Sequence, residues 1–263
     1  MKRAAKHAFG IGLAFSLICL PELTLGYAYV GQAGPPPESP LGSQTTGEPV
    51  TWPDGQANVL FALNNLSSDY ISSAVAAMAA WNAVGTRVQL QQGSRVAAPC
   101  NGSDRVNTVG WLPSTCDGEE FGDALAITVI SFRYSSTNRW EIVDADIILN
   151  QNRSWIPYKS GRLSGGQVDF RRVILHELGH AIGLEHPDEA GQHVEAIMNS
   201  QVSNLDTLQA DDRQGIAFLY GGSTNPATRT PAASSGSGGG GADVMLTLLG
   251  AIAVLRRRVA QVG

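Results

Sequence analysis

Apolar positions recur with two different periods along the middle of this chain. Val59-Leu60-Phe61-Ala62-Leu63 reads as a first strand, after which Ser67 or Ser68 can cap a helix whose apolar positions Ile71, Val75, Met78 and Trp81 recur at helical spacing. Trp81 is expected to anchor the core from that helix. Arg87-Val88-Gln89-Leu90 alternates as a strand does. From Pro99 to Glu120 turn formers dominate and predict a long loop, and strands resume at Ala124 to Phe132 and at Ile142 to Leu149. The chain turns polar between Gly165 and Asp169, and a second helix is expected to follow. No internal repeat is visible.

The two ends follow other rules. Lys2, Arg3 and Lys6 precede an apolar run from Ala8 to Leu20, and Gly26-Tyr27-Ala28 offers small residues of the kind a signal peptidase reads, so residues 1–28 are expected to be a secretory signal. Leu17 and Ile18 stand before Cys19 where a lipoprotein signal needs small residues, and the apolar run is short for a retained anchor. Residues 29–49, with Pro35-Pro36-Pro37 and Pro40, read as a linker, which places the start of the domain near Val50. At the other end a Gly/Ser-rich spacer at 223–241 leads into an apolar run from Val244 to Leu255 and then Arg256, Arg257 and Arg258. A helix of that apolar run reaches about 18 Å, short of the roughly 30 Å hydrocarbon core, and the arginines would stay cytoplasmic. Residues 242–263 are therefore expected to be a sorting or anchor segment. The order of spacer, apolar run and basic cluster resembles the bacterial GlyGly-CTERM tail. That resemblance implies an inner-membrane, rhomboid-like sorting protease as partner and a Gram-negative envelope as destination, with a simple tail anchor as the alternative.

Composition narrows the function classes. A chain of 263 residues with 43% apolar residues suits, once its ends are set aside, a single catalytic unit at 50–222 that works as a monomer. Its formal charge of −5 arises from 18 basic and 23 acidic residues, with basic residues gathered at the termini, so nucleic acid is not an expected partner. Of three cysteines, Cys19 lies in the removed signal. Cys100 and Cys116 remain as a pair that an exported protein can join, with a stabilisation on the order of 3 kcal/mol, or leave as two thiols.

The chemistry lies in His176-Glu177-Leu178-Gly179-His180-Ala181-Ile182-Gly183-Leu184-Glu185-His186. On a helix, positions i and i+4 share a face, so His176 and His180 can bind one Zn²⁺ from the same side. Gly183 can end the helix at φ > 0 and return His186 as third ligand. Three protein ligands leave a fourth position for water, the mark of a catalytic rather than a structural zinc. Glu177, next to the first ligand, can act as general base toward that water and return the proton to the leaving amine. His193 is a rival third ligand with poorer spacing, and Glu185 and Asp188 are candidates to orient an imidazole.

This segment matches the metzincin signature H-E-x-x-H-x-x-G-x-x-H at every defined position. The resemblance implies an α+β, zincin-like domain: a twisted mixed five-stranded sheet, an active-site helix and a small C-terminal subdomain. It also implies a methionine turn at Ala196-Ile197-Met198-Asn199, with Met198 as an apolar floor under the metal. Leu208 to Gly221 resembles the last helix of the matrixin branch, which gives Asp211 and Asp212 a bracing role. Ala124, Leu125 and Ala126 resemble the edge strand on which matrixins pair extended substrate, and Asp144 to Asn150 the strand that follows. No histidine lies between the signal and His176, so the second, structural zinc of animal matrixins is not expected. Calcium stays open, through Asp144, Asp146 or the Asp117 to Asp123 loop. The function implied is a zinc endopeptidase acting on extracellular or envelope proteins or peptides. The alternatives are a binding protein on the same scaffold and a zinc hydrolase of another envelope component.

Overall fold

The computed structural model describes residues 27–31, residues 48–221 apart from 55, 57, 64–65, 95–96, 102–103 and 163–165, and the backbone of 253–261. The elements in chain order are β1 (Ala28–Tyr29), β2 (Asn58–Ala62), α1 (Ser68–Asn82), β3 (Gln89–Gly93), β4 (Thr108–Leu112), β5 (Ala124–Tyr134) and β6 (Trp140–Asn150). They continue with β7 (Trp155–Ile156), β8 (Val168–Asp169), α2 (Phe170–Ala181), β9 (Leu184–Glu185), β10 (Gln201–Val202), α3 (Ala210–Tyr220) and β11 (Ala253–Gln261). The main sheet runs β10-β11-β5-β6-β4-β2-β3. Its five central and outer strands β5, β6, β4, β2 and β3 form a mixed sheet in which only the β5–β6 pair is antiparallel. This is the α+β zincin-like arrangement.

Helices α1 and α2 lie on one face of that sheet. Trp81, fully buried, donates its indole N–H to the Leu175 carbonyl at 2.9 Å and so fastens α1 to α2 as well as filling the core. The buried stripe of α1 is Ala74, Ala77, Met78 and Trp81, while Val75 is exposed. Ser67 occupies the N-cap position of α1 without a side-chain hydrogen bond to the helix, so the serine cap expected there is not made. On the opposite face, Phe121, Ile127, Val129 and Ile148 form a smaller apolar cluster against the loop bridged by Cys100–Cys116. Cover on both faces explains why β5 is an almost continuous apolar run rather than an alternating one.

Three boundaries differ from the sequence reading. The stretch from Pro99 to Glu120 is not all loop: Thr108–Leu112 forms β4, a parallel strand in the middle of the sheet. Its partners are far away in sequence, and with turn formers on both sides a five-residue strand leaves no local signal. The second predicted strand is shifted to Gln89–Gly93, where its pairing with β2 begins at Gln89 opposite Asn58, and the Arg87 side chain before it reaches the Trp52 and Pro53 carbonyls and Asp54. Residues 27–31, divided above between signal and linker, belong to the fold: Ala28 pairs with Glu185, Tyr29 with Leu184, and the Val30 N–H donates to the Gly183 carbonyl. Tyr27 and Ala28 are buried, so the domain begins before Val50 and a cut after Ala28 would remove part of its core. Residues 1–26, the spacer at 223–241 and residues 242–252 lie outside the described residues. No helix among the described residues is long and apolar enough to cross a membrane.

One of two neighbouring buried acids ties the disulfide loop to the sheet. Asp146 accepts the Cys100 and Thr108 backbone N–H groups and the Thr108 hydroxyl. Burial nevertheless pushes its carboxyl up to about 6, against those hydrogen bonds. Asp144, two residues earlier on the same face of β6, is 1% exposed and its Oδ1 has no hydrogen-bond partner. Burial, then the charges of Asp146 and Asp104, push Asp144 up to about 7. A carboxyl whose folded pKa lies above its ordinary value binds protons more tightly in the folded chain, so stability from this source declines as pH rises from about 4 to about 7. Asp144→Asn should flatten that decline and at pH 8 raise stability by on the order of 2 kcal/mol, read as a higher Tm and a weaker pH dependence of denaturant midpoints.

Candidate metal centre

The metal helix is held at both ends before any ligand is placed. Asp169 caps α2 by accepting the Arg172 N–H at 3.0 Å, and its other oxygen receives the Arg172 guanidinium at 2.8 Å and the Lys159 N–H at 2.7 Å. Arg172 is 2% exposed and also donates to the carbonyls of Lys159, Gly161 and Asn204. One buried cation thus ties the helix start to the chain just beyond β10. At the other end Trp52 donates its indole N–H to the Ala181 carbonyl, and the Tyr220 hydroxyl donates to the Ile182 carbonyl. These bonds satisfy carbonyls that a helix terminus leaves open. Gly183 then turns the chain at φ 94°, where a Cβ would stand 2.5 Å from the Val50 carbonyl oxygen, so glycine is required twice over.

That turn brings His186 back onto the face of α2 that carries His176 and His180. The three Nε2 atoms lie 2.9, 3.1 and 3.0 Å from one another, and the rings are 1%, 0% and 3% exposed. Nitrogens bound to a tetrahedral zinc at about 2.0 to 2.1 Å are about 3.3 Å apart, so the trio fits a zinc ion. Two of the rings have their other nitrogen fixed as well, while His186 Nδ1 has a carboxylate nearby without hydrogen-bond geometry. His176 Nδ1 is 2.8 Å from the Ile197 carbonyl, His180 Nδ1 is 2.9 Å from the Leu184 carbonyl, and His186 Nδ1 is 3.0 Å from the Glu189 carboxylate. Carbonyls accept from Nδ1–H, which leaves the Nε2 lone pairs of His176 and His180 for a metal. Burial, then the neighbouring His186, lowers the His176 pKa to about 3, so the ring is neutral at physiological pH, as a ligand must be.

Glu177 is fully buried on the same helix. Its Oε2 accepts the Thr128 hydroxyl at 2.5 Å, while Oε1 has no hydrogen-bond partner. Burial pushes the carboxyl up to about 8, against that hydrogen bond. A desolvated carboxylate with one oxygen held and the other open has the form of a general base. Among the described residues, His176, His180 and His186 are the only group of three or more His, Cys, Asp or Glu side chains placed to share an ion. Residues 117–221 match the matrixin family model, a span that contains the trio, Glu177 and all that follows them in the domain.

Over that span the chain is similar to matrixins. Among similar proteins, Matrix metalloproteinase-B of Caenorhabditis elegans is 26% identical over 92 residues, which are 35% of this chain and 15% of that protein. Matrix metalloproteinase-18 of Xenopus laevis is 40% identical over 62 residues, 22% of this chain and 12% of its own. Metalloendoproteinase 5-MMP of Arabidopsis thaliana is 41% identical over 61 residues, 22% of this chain and 16% of its own. The matched stretches thus span no more than 16% of these relatives' lengths. A solved structure, the hatching enzyme zinc-protease High choriolytic enzyme 1 of Oryzias latipes, aligns with TM-score 0.38 and 12% identity over 65% of this chain and 94% of its own.

The matrixin-like features downstream of the ligands connect in one relay. Asp212 accepts the Ile197 N–H at 2.9 Å, the Met198 N–H at 3.1 Å and the Gln209 N–H at 2.7 Å. Ile197 in turn offers its carbonyl to His176, so α3 braces the methionine turn and the turn orients a ligand. Asp211 is also buried, its carboxyl pushed up to about 6 by burial and then by Asp212, but the turn amides go to Asp212. Of the acids that flank the third ligand, Asp188 accepts the Ser200 N–H and hydroxyl, and Glu189 lies 3.0 Å from His186 Nδ1 without hydrogen-bond geometry to it. His193 is exposed and outside the trio. Asp146, considered for calcium, is instead bonded to Cys100 and Thr108, and Asp117 to the Thr115 hydroxyl. Thr128, Arg172 and Glu189 escaped the sequence reading, since each meets the site through folding rather than through a motif.

Gly179 carries a constraint the signature does not state. A Cβ there would meet Met198 Sδ at 2.2 Å and Trp81 Cζ2 at 3.0 Å, so the methionine packs against bare helix backbone. Gly179→Ala should therefore destabilise the fold by about 1 to 3 kcal/mol through overpacking, and adding Met198→Ala should return part of the loss. Thermal unfolding of the two variants beside the parent decides it, and a double variant no more stable than Gly179→Ala would refute the packing argument.

Proposed function

We propose that this chain is an exported zinc endopeptidase that hydrolyses internal peptide bonds of extracellular or envelope proteins. The observation that carries the reading is the pairing of three converging imidazole nitrogens with a buried carboxyl group that has one unbonded oxygen. His176, His180 and His186 would hold the ion, and zinc in such a site acidifies a water and polarises a carbonyl. Glu177 takes the water's proton on Oε1 and passes it to the leaving amine, while the Thr128 hydroxyl keeps Oε2 from rotating away. Met198 and the braced turn keep the ligand rings in place.

Substrate is expected to lie extended along β5, pairing through main-chain hydrogen bonds at Ala124, Leu125 and Ala126. Burial of Tyr27 and Ala28 supports a signal-peptidase cut before Tyr27 rather than after Ala28. Export from a Gram-negative cytoplasm and handling of the C-terminal tail by an inner-membrane sorting protease complete the reading, supported by the charge and hydropathy order of the two ends. Glu177→Ala should retain about one zinc per chain yet lose at least about 10³-fold in kcat/KM on casein or a fluorogenic peptide. Retained hydrolysis in that variant would remove the assigned base, and failure of the parent to cut any polypeptide when zinc-loaded and freed of its tail would remove the protease reading.

A further inference from the structure

The seat expected for substrate is already taken. Strand β11 runs antiparallel to β5 from Ala253 opposite Phe132 to Val259 opposite Ala126, and after a bulge places Ala260 opposite Ala124. It therefore covers Ala124 to Ala126, the positions expected to receive extended substrate. On its other side β11 pairs in parallel with β10, Gln201 with Ala260 and Val202 with Gln261. Strand β10 begins three residues after Met198, so β11 lies between β5 and the segment that leaves the methionine turn. Arg257 is opposite Thr128, the residue whose hydroxyl holds Glu177. The backbone of β11 also comes within 8 Å, Cα to Cα, of α2. A second observation agrees with this placement: His176, Glu177, His180 and His186, which a substrate must reach, are only 0 to 3% exposed.

We propose that the C-terminal strand Ala253–Gln261 is an intramolecular occupant of the substrate cleft, bound by strand addition as a substrate would be, and that the chain is held closed until this tail is withdrawn or cut away. The proposal rests on the protease reading only for the identity of what is excluded. Main-chain pairing makes the seat tolerant of sequence, so a basic tail can fill a cleft that also accepts other polypeptides. Covalent attachment gives such a segment an effective concentration on the order of millimolar wherever the connection spans the distance, enough for weak pairing to exclude dilute substrate. Removal of the tail by a separate protease would then release and activate the domain in one event.

The test uses the full, zinc-loaded chain. In Arg256→Pro/Arg257→Pro, adjacent residues of a strand send their amides to opposite sides, so one of the two prolines removes a donor toward β5. Three measurements apply to parent and variant: kcat/KM on a fluorogenic peptide, the affinity of a hydroxamate for the zinc, and amide hydrogen exchange of Ala124 to Phe132. The variant should gain roughly tenfold or more in kcat/KM and in hydroxamate affinity, with faster exchange along β5. A synthetic peptide of residues 253–261 should inhibit it competitively. Parent chain cut at a protease site inserted in the Gly/Ser spacer and then diluted should show the same gain, which covers the case of a misfolded double variant. Equal hydroxamate affinity and equal exchange, with and without the tail seated, would overturn the proposal whether or not peptides are cut. Tighter hydroxamate binding and faster exchange without hydrolysis would uphold the occluding strand and defeat the protease reading instead.

Discussion

Three imidazole nitrogens held about 3 Å from one another and out of contact with water are costly to bury without a shared partner, and a divalent cation would supply one. The surrounding structure holds them there. Trp81 and Trp52 clamp α2 through the Leu175 and Ala181 carbonyls, Gly183 swings His186 back, and the Ile197 and Leu184 carbonyls set two of the rings. A folded domain that fixes its ligands in advance loses little ordering entropy when the metal arrives.

The bracing is arranged as a series of dependent contacts rather than as a shell of equal ones. Asp212 holds the methionine turn, the turn holds His176, and Met198 presses on the helix where Gly179 lacks a side chain. Glu177 is tied to the sheet by Thr128, so ligands and base are referred to different elements and keep their spacing only while α2 stays seated on β5. That coupling is why the register of β5 matters for chemistry as well as for folding.

An edge strand beside a reactive centre is useful and hazardous for the same reason: its unpaired amides and carbonyls accept any extended chain. In this fold the chain's own C-terminal strand satisfies them, which converts an aggregation-prone edge into a paired one. The seven-stranded order is thus the five-stranded mixed sheet expected from the resemblance, with β11 and β10 added beside β5.

The sequence by itself marked the histidine trio, the glutamate beside it and the turning glycine, because a helical repeat of i and i+4 and the φ > 0 requirement of Gly183 are local rules that hold wherever the segment is placed. It also marked Cys100 and Cys116 as a pair and Met198 as the turn residue. Only the tertiary structure decided the rest. Strand β4 depends on partners beside Asp146 and Ala62, residues 27–31 on their pairing with β9 and contact with α3, and the approach of Glu189 to His186 on the direction in which the chain leaves that ring. The tail reads in sequence as an apolar run ending in arginines, which suggests a membrane; its strand at 253–261 exists because β5 and β10 offer hydrogen-bonding groups on either side of it. Pairing of that kind is set by what stands opposite, and no pattern within the segment itself encodes it.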